Sequence, residues 1–280
     1  MSIETNPLRQ YFRQPAIYVK LPSQGRFWIE GSLAIPPNTE LPVFPMTAVD
    51  EITTRTPDAL FNGSAVVNII ESCVPAVKDA WATPSTDVDM LLVAVRIATY
   101  GHNMDIETKC PKCGHEHDYG LDLRQVLEAI TAPDYDTCLS VNGLNIYFHP
   151  LTYRQLNENS QLQFEDQKLI HMMSDTTTAD EEKIHLLSQS FLRITQLTIR
   201  NIAQSIAAIK TPDTTVNDQA QVEEFLNNCE RGTFAMIRDQ AVKLKQTSEL
   251  KPLKITCVEC SNEFQQTFTL DMSNFFATNS

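Results

Sequence analysis

A chain of 280 residues with 42% apolar residues and eight glycines has an ordinary globular composition, and it is long enough for one large core or two modest ones. Its net charge of −13, from 22 Lys plus Arg against 35 Asp plus Glu, repels phosphate backbones and weighs against nucleic-acid binding. No apolar run reaches the eighteen or so residues of a membrane span, and "MSIETNPLRQYFRQ" lacks the basic-then-apolar layout of a signal peptide, so a cytoplasmic origin is expected.

Residues 1–46 read as an extended N-terminal arm. "AIYVKLPSQGRFWIEG" alternates apolar and polar residues, and "IPPNTELPVFP" carries too much proline for a helix. The aromatic residues Tyr11, Phe12, Tyr18, Phe27 and Trp28 are candidate partner-docking side chains, although an arm of this kind pairs first with its own chain. Residues 47–101 turn helical. Thr47 with Asp50 forms a capping-box pattern, and Ser64 is expected to cap "AVVNIIESC", whose Val66, Val67, Ile69 and Ile70 share an apolar side and which Pro75 stops. In "STDVDMLLVAVRIATYG", Ser85 is the expected cap, with Asp87 and Asp89 in the first turn. An apolar stripe follows through Leu91, Leu92, Val95 and Ile97, and Gly101 terminates the helix.

Residues 102–137 hold a first Cys-x-x-Cys knuckle and a strand. In residues 138–250, Asn142-Gly143 between "CLSV" and "LNIYFH" predicts a hairpin at about 138–149. A helical insertion then follows: helices over 152–174 and 178–210, capped by Thr152 and by Thr178 with Glu181, and two more near 217–229 and 233–247. No fixed-period repeat marks a solenoid. Residues 251–280 hold a second knuckle and a C-terminal strand. The expected fold class is α+β, a mainly helical body with an N-terminal extended β arm and a discontinuous zinc ribbon of short antiparallel strands.

Seven cysteines in a chain without a secretion signal favour metal binding over a disulfide framework. Cys73, Cys138 and Cys229 stand alone and read as small buried hydrophobes. The other four form two knuckles whose flanks match: "KCPKCGHEHDYGLDL" and "TCVECSNEFQQTFTLD" each run lead-in strand, Cys-x-x-Cys, small residue, glutamate two steps on, and a returning strand closing in Leu-Asp. Cys110, Cys113, Cys257 and Cys260 are therefore the candidate ligands of one structural zinc ion, since two such turns supply the four corners of a tetrahedron and leave no open coordination position. Closing the intervening loop of roughly 140 residues costs on the order of 4 kcal/mol, against roughly 10 to 16 kcal/mol from structural zinc in small peptides. His115 and His117 offer a second ligand set, C-x-x-C-x-H-x-H. They read as bystanders on one face of the returning strand, because a complete second Cys-x-x-Cys exists, and the question of a histidine replacing a cysteine stays open.

No G-x-S-x-G, H-E-x-x-H, phosphate loop or dinucleotide fingerprint is present, so no catalytic residue is assigned and an enzyme is not expected. A zinc-ribbon nucleic-acid-binding protein is the alternative. It would place basic residues around the knuckles, whereas Glu107, Glu116, Asp118, Asp122, Glu259 and Glu263 surround them, with only Lys109 and Lys112 opposing. The cluster Arg238, Lys243, Lys245, Lys251 and Lys254 reads as a solvated helix face and strand end.

"QPAIYVKLPSQGRFW" followed by "LPVFPMTAVDEITTRTPDALFNGSAVVNIIESCVPAVKDAW" resembles the N-terminal signature of the baseplate hub proteins of T-even-like contractile-tailed bacteriophages. The later order of helix, CPKCG, hairpin, helical block, CVEC and closing "TLDMSNFF" resembles it too. The resemblance implies a structural or assembly role in the tail baseplate hub, with assembly in the host cytoplasm and other baseplate proteins as partners; the charge and the lack of a long apolar run separately lead to the expectation of no nucleic acid and no membrane insertion. A homo-oligomer, trimers included, is compatible with a hub, although no heptad marks one. No catalytic residue is carried over.

Overall fold

The computed structural model describes residues 6–54, 62–175, 180–268, 270 and 275–276. In the arm, β1 (Ile17–Val19) pairs antiparallel with β2 (Leu41–Val43), Tyr18 opposite Pro42. Between them the chain turns instead of extending. Gln24, Phe27 and Thr39 have left-handed φ of 56°, 69° and 60°, a backbone state that a strand does not contain. The strand expected from the alternation is therefore only three residues long.

Helix α1 (Ala48–Thr54) has the reciprocal cap that its sequence predicts: Thr47 N–H donates to Asp50 Oδ2 at 2.7 Å, and Asp50 N–H donates to Thr47 Oγ1 at 3.3 Å. Helix α2 (Ser64–Cys73) departs from expectation. Its cap is Gly63, with φ 76° and no side-chain bond, while Ser64 lies inside the helix and donates its N–H to Asn62 Oδ1 at 2.9 Å. The tight left-handed entry suits glycine better than serine suits the cap. Helix α3 (Ser85–Tyr100) likewise starts at Ser85 itself, and Gly101, at φ 88°, closes it with an N–H bond to Ile97 O.

Strands β3 (Asn103–Lys109) and β4 (Glu116–Asp122) form a seven-rung antiparallel hairpin, and α4 (Leu123–Ala129) follows at once. This short helix was not anticipated. Asp122 caps it, accepting the Arg124 N–H at 3.0 Å. Strands β5 (Leu139–Val141) and β6 (Leu144–Phe148) meet at Asn142-Gly143, both with positive φ, as a two-residue hairpin turn requires. Helix α5 (Tyr153–Asp175) is capped by Thr152 and Gln155 reciprocally. Helix α6 (Asp180–Gln204) follows, and the expected Thr178 cap lies outside the described residues.

The helix predicted to run to residue 210 stops at Gln204, and its last residues form β7 (Ile206–Lys210). Here pairing beats propensity: Ile206 and Ile209 are buried, and β7 forms a ladder against β6. The chain continues as β8 (Thr215–Val216), α7 (Gln219–Asn228), α8 (Arg231–Ser248), β9 (Leu253–Thr256) and β10 (Glu263–Gln266). The protein is thus a mixed helix-and-sheet chain whose sheets are small and antiparallel. No helix among the described residues is long and apolar enough to cross a membrane.

Two compact units divide these elements. The first comprises Met1–Ala80, Asp87–Ile130 and Leu250–Ser280. Val43, Ile69, Ile70, Leu91, Val93, Leu123 and Ile255 form its fully buried interior, each large aliphatic side chain contributing about 1.5–3 kcal/mol on burial. Two polar anchors fix the arm to it. Arg13 donates to the carbonyl oxygens of Pro45 and Ser72 at 2.6 and 2.7 Å and meets Asp50 at 3.3 Å. Asp87 is fully buried and accepts from Ser23 N–H at 2.9 Å, from the Ser23 hydroxyl, and from Trp28 Nε1 at 2.8 Å. Instead of a solvent-facing residue near the helix dipole, Asp87 is the point at which α3 holds the arm's turn.

The second unit comprises Trp81–Thr86 and Thr131–Glu249. Its four-stranded sheet has the order β5-β6-β7-β8, and α6 packs against α5, α7 and α8. Ile146, Phe148, Ile206, Val222, Leu226 and Ile237 are buried there, and Asn142 Nδ2 donates to Thr233 Oγ1 at 2.8 Å.

Candidate metal centre

Each knuckle is the turn of a hairpin, and the two turns repeat one hydrogen-bond plan. In the first, Cys110 N–H donates to His115 O and Gly114 N–H to Cys110 O, both at 2.9 Å. In the second, Cys257 N–H donates to Asn262 O and Ser261 N–H to Cys257 O, also at 2.9 Å. The residue after each second cysteine is left-handed, Gly114 at φ 73° and Ser261 at φ 54°. This reversal sends the chain back into the returning strand of each hairpin.

The sequence pairs the knuckles across most of the chain, and the structure brings them together. The four Sγ atoms of Cys110, Cys113, Cys257 and Cys260 lie within 4.8 Å of one another. Cys110 is 3.7 Å from Cys260, and Cys113 is 3.7 Å from Cys257. A tetrahedron with zinc–sulfur bonds of about 2.3 Å has sulfur–sulfur edges of about 3.8 Å. A disulfide bond needs about 2.05 Å, and all four are free thiols. The spacing and the all-sulfur donor set fit a soft tetrahedral ion.

Electrostatics point the same way. The first cysteine of each knuckle, Cys110 and Cys257, is 1% exposed, whereas Cys113 is exposed and Cys260 half-buried. The Cys113 backbone N–H above all, against desolvation and with help from the Lys112 N–H, pulls the Cys110 thiol down to about 6. The His115 amide pulls Cys113 down as well, but desolvation and the other three sulfurs outweigh it and hold that thiol up to about 12. One thiolate forms readily and the next is resisted, as expected where several thiols share one site.

Neither His115 nor His117 belongs to the four-residue group. Their rings stack on each other at 5.8 Å, and the His117 ring nitrogens lie 3.4 and 3.5 Å from Thr108 Oγ1. Asn262 Nδ2 comes within 4.0 Å of Cys110 Sγ, a contact from one knuckle to the other's sulfur that the spacing of cysteines does not announce.

The lone cysteines divide. Cys73 is buried as expected, and desolvation first, then Asp50, pushes its thiol up to about 12. Cys138 and Cys229 are half-buried, not enclosed. Among the arm aromatics, Tyr11, Phe12 and Tyr18 are exposed. Phe27 is half-buried beneath the Arg26 guanidinium, 4.9 Å from its ring centroid, and half-buried Trp28 spends its indole N–H on Asp87. In the basic cluster, Arg238 pairs with Asp239 at 2.8 Å and Lys245 meets Glu249 at 3.8 Å.

Against known families, residues 40–277 match the one described as T4 bacteriophage base plate protein. No curated protein matches the chain, and no solved structure does.

Proposed function

The chain belongs to the T4 bacteriophage base plate protein family, and from that membership we propose that it is a component of the baseplate hub whose shape is held by a structural zinc ion. Its family makes it a structural protein of the virion tail baseplate that works among other baseplate proteins. The hub position and the zinc are the finer readings. The observation that carries the zinc is the convergence of four sulfurs from two distant knuckles to within 4.8 Å. Cys110, Cys113, Cys257 and Cys260 would hold the ion, and its chemistry is that of a cross-link with no coordination position left open. Within the first unit, such a cross-link joins the hairpin after α3 to the hairpin near the chain's end.

Exposed Tyr11, Phe12 and Tyr18 support the arm as a docking element for neighbouring hub proteins, since each buries a large ring on contact. Assembly in the host cytoplasm is consistent with seven unpaired cysteines.

Metal analysis of the purified chain should find one zinc per molecule, and Cys257→Ser should lose it together with several degrees of Tm. Absence of stoichiometric metal, or an unchanged Tm, defeats the zinc reading. For the hub, the tagged chain recovered from infected cells should bring down tail baseplate proteins. Recovery of nucleic acid without them would defeat that reading.

A further inference from the structure

Helix α3 runs into the first knuckle through Gly101 and β3, and the chain beyond the second knuckle returns to that same helix. Phe275 and Phe276 are 2% and 4% exposed and stand edge-on to each other, with ring centroids 5.1 Å apart. Phe275 also meets Phe268 edge-on at 6.2 Å. From α3, Arg96 Nε donates to the Phe275 carbonyl oxygen at 2.9 Å, and its guanidinium lies 4.5 Å from the centroid of the Tyr100 ring. The Tyr100 hydroxyl is 2.7 Å from the Glu51 carboxylate and 3.2 Å from the Phe276 carbonyl oxygen, and its single proton serves one of them at a time.

Arg96 is an expensive residue to place here. It is 7% exposed, burial pulls its pKa below the usual value, and its Nη1 is buried with no hydrogen-bond partner among the described residues. Burying a cation against a main-chain carbonyl is unfavourable compared with a plain apolar contact. What the arrangement gains is a fixed position: the segment after the second knuckle is held at one place on the helix that leads to the first.

We propose that Arg96, Tyr100 and Phe275 are positioning residues of the four-cysteine centre, a latch that brings Cys257 and Cys260 toward Cys110 and Cys113 before any metal binds. The inference rests on the zinc reading above and goes beyond it by assigning site assembly to residues that never touch the ion. Arg96 and Phe275 lie outside the two knuckles in sequence, so a shut latch changes the loop that the ion must close. Instead of roughly 140 residues between the knuckles, about 30 residues remain, those from Arg96 to the first knuckle and from the second to Phe275. By the three-halves power of loop length, which treats the intervening chain as flexible, this preorganisation is worth at most about tenfold in metal affinity.

The test is a titration of the full-length, metal-free chain with cobalt(II), read by thiolate charge-transfer absorption, followed by zinc competition against a chromophoric chelator. Arg96→Leu and Phe275→Leu should keep the tetrathiolate cobalt spectrum, because all four ligands remain, while the dissociation constant rises severalfold, up to about tenfold. Ile237→Val, a core change in the other unit, should lower Tm without altering affinity. If Arg96→Leu fails to fold by circular dichroism, the milder Phe275→Leu decides. Wild-type affinity in a folded latch variant, or equal weakening by Ile237→Val, overturns the latch alone. A wild-type chain that takes up neither cobalt nor zinc overturns the latch and the zinc reading together.

Discussion

Gly114 and Ser261 occupy the same step of the two knuckles, yet only glycine is at ease there. A left-handed residue with a Cβ costs about 1 kcal/mol or more relative to glycine. A Cβ added at Gly114 meets nothing within 4 Å, so any penalty comes from the backbone alone. Gly114→Ala should therefore lose about 1 kcal/mol and Ser261→Gly should gain a similar amount, as read by denaturant unfolding of the metal-loaded chain. Equal stabilities for all three proteins would remove the left-handed assignment. Asp122 gives a pH prediction. Hydrogen bonds from the Arg124 side chain first, then its backbone N–H, hold this carboxyl down to about 2 from 3.8. Its folded pKa is depressed, so its contribution to stability is complete above about pH 4 and is lost as pH falls through about 2. Carboxyl NMR should place the Asp122 midpoint near 2 and return it toward 3.8 in Arg124→Ala. At this scale the cysteine set was legible, because matching flanks announce a pair. The strain at Ser261 was not, since serine is an unremarkable residue after a Cys-x-x-Cys.

Among the elements, those with their own local signals were legible and those made by a neighbour were not. Thr47 with Asp50, Gly101, Thr152 and Asn142-Gly143 each fix a boundary through bonds within a few residues, and all stand where the pattern places them. Strand β7 reads as the tail of a helix because Ala207 and Ala208 favour one, and only the ladder to β6 with the burial of Ile206 and Ile209 makes it a strand. The arm departs in the opposite direction, its alternation suggesting a longer strand than β1. What orders it is a turn hung on Asp87. Asp87→Asn turns an amide N–H toward at least one of the three donors and should cost on the order of 2 kcal/mol. Asp87→Ala removes both acceptor oxygens and should also free the Trp28 indole, read as a lower Tm with a red-shifted tryptophan emission. An unchanged emission would mean that the turn is held by something else.

On the scale of the whole molecule, removal of the proposed zinc ion should act on one unit. Strands β9 and β10 form a two-stranded sheet of their own, and an isolated hairpin is marginal in water. Chelation should therefore lower Tm and raise amide exchange over Leu253–Thr256 and Glu263–Gln266, while the four-stranded sheet of the second unit keeps its protection. Uniform loss of protection would indicate a single cooperative unit instead. If the aromatic latch is shut without metal, Phe275 and Phe276 should exchange more slowly than Leu253–Thr256 and Glu263–Gln266 in the metal-free chain. By itself the sequence determined the caps at Thr47 and Thr152 but not those at Ser64 and Ser85, together with the hairpin turn, the mixed fold class, the four cysteines and the resemblance that the family match upholds, because each is carried by side chains or backbone preferences that act within a few residues or by a motif repeated in plain text. Only the tertiary structure decided that a helix end becomes β7, that Asp87 is an internal anchor, and that Arg96 meets Phe275 across most of the chain. Such contacts join residues whose own neighbourhoods hold no trace of one another, and their energy exists only once the chain has folded and water has been excluded from between them.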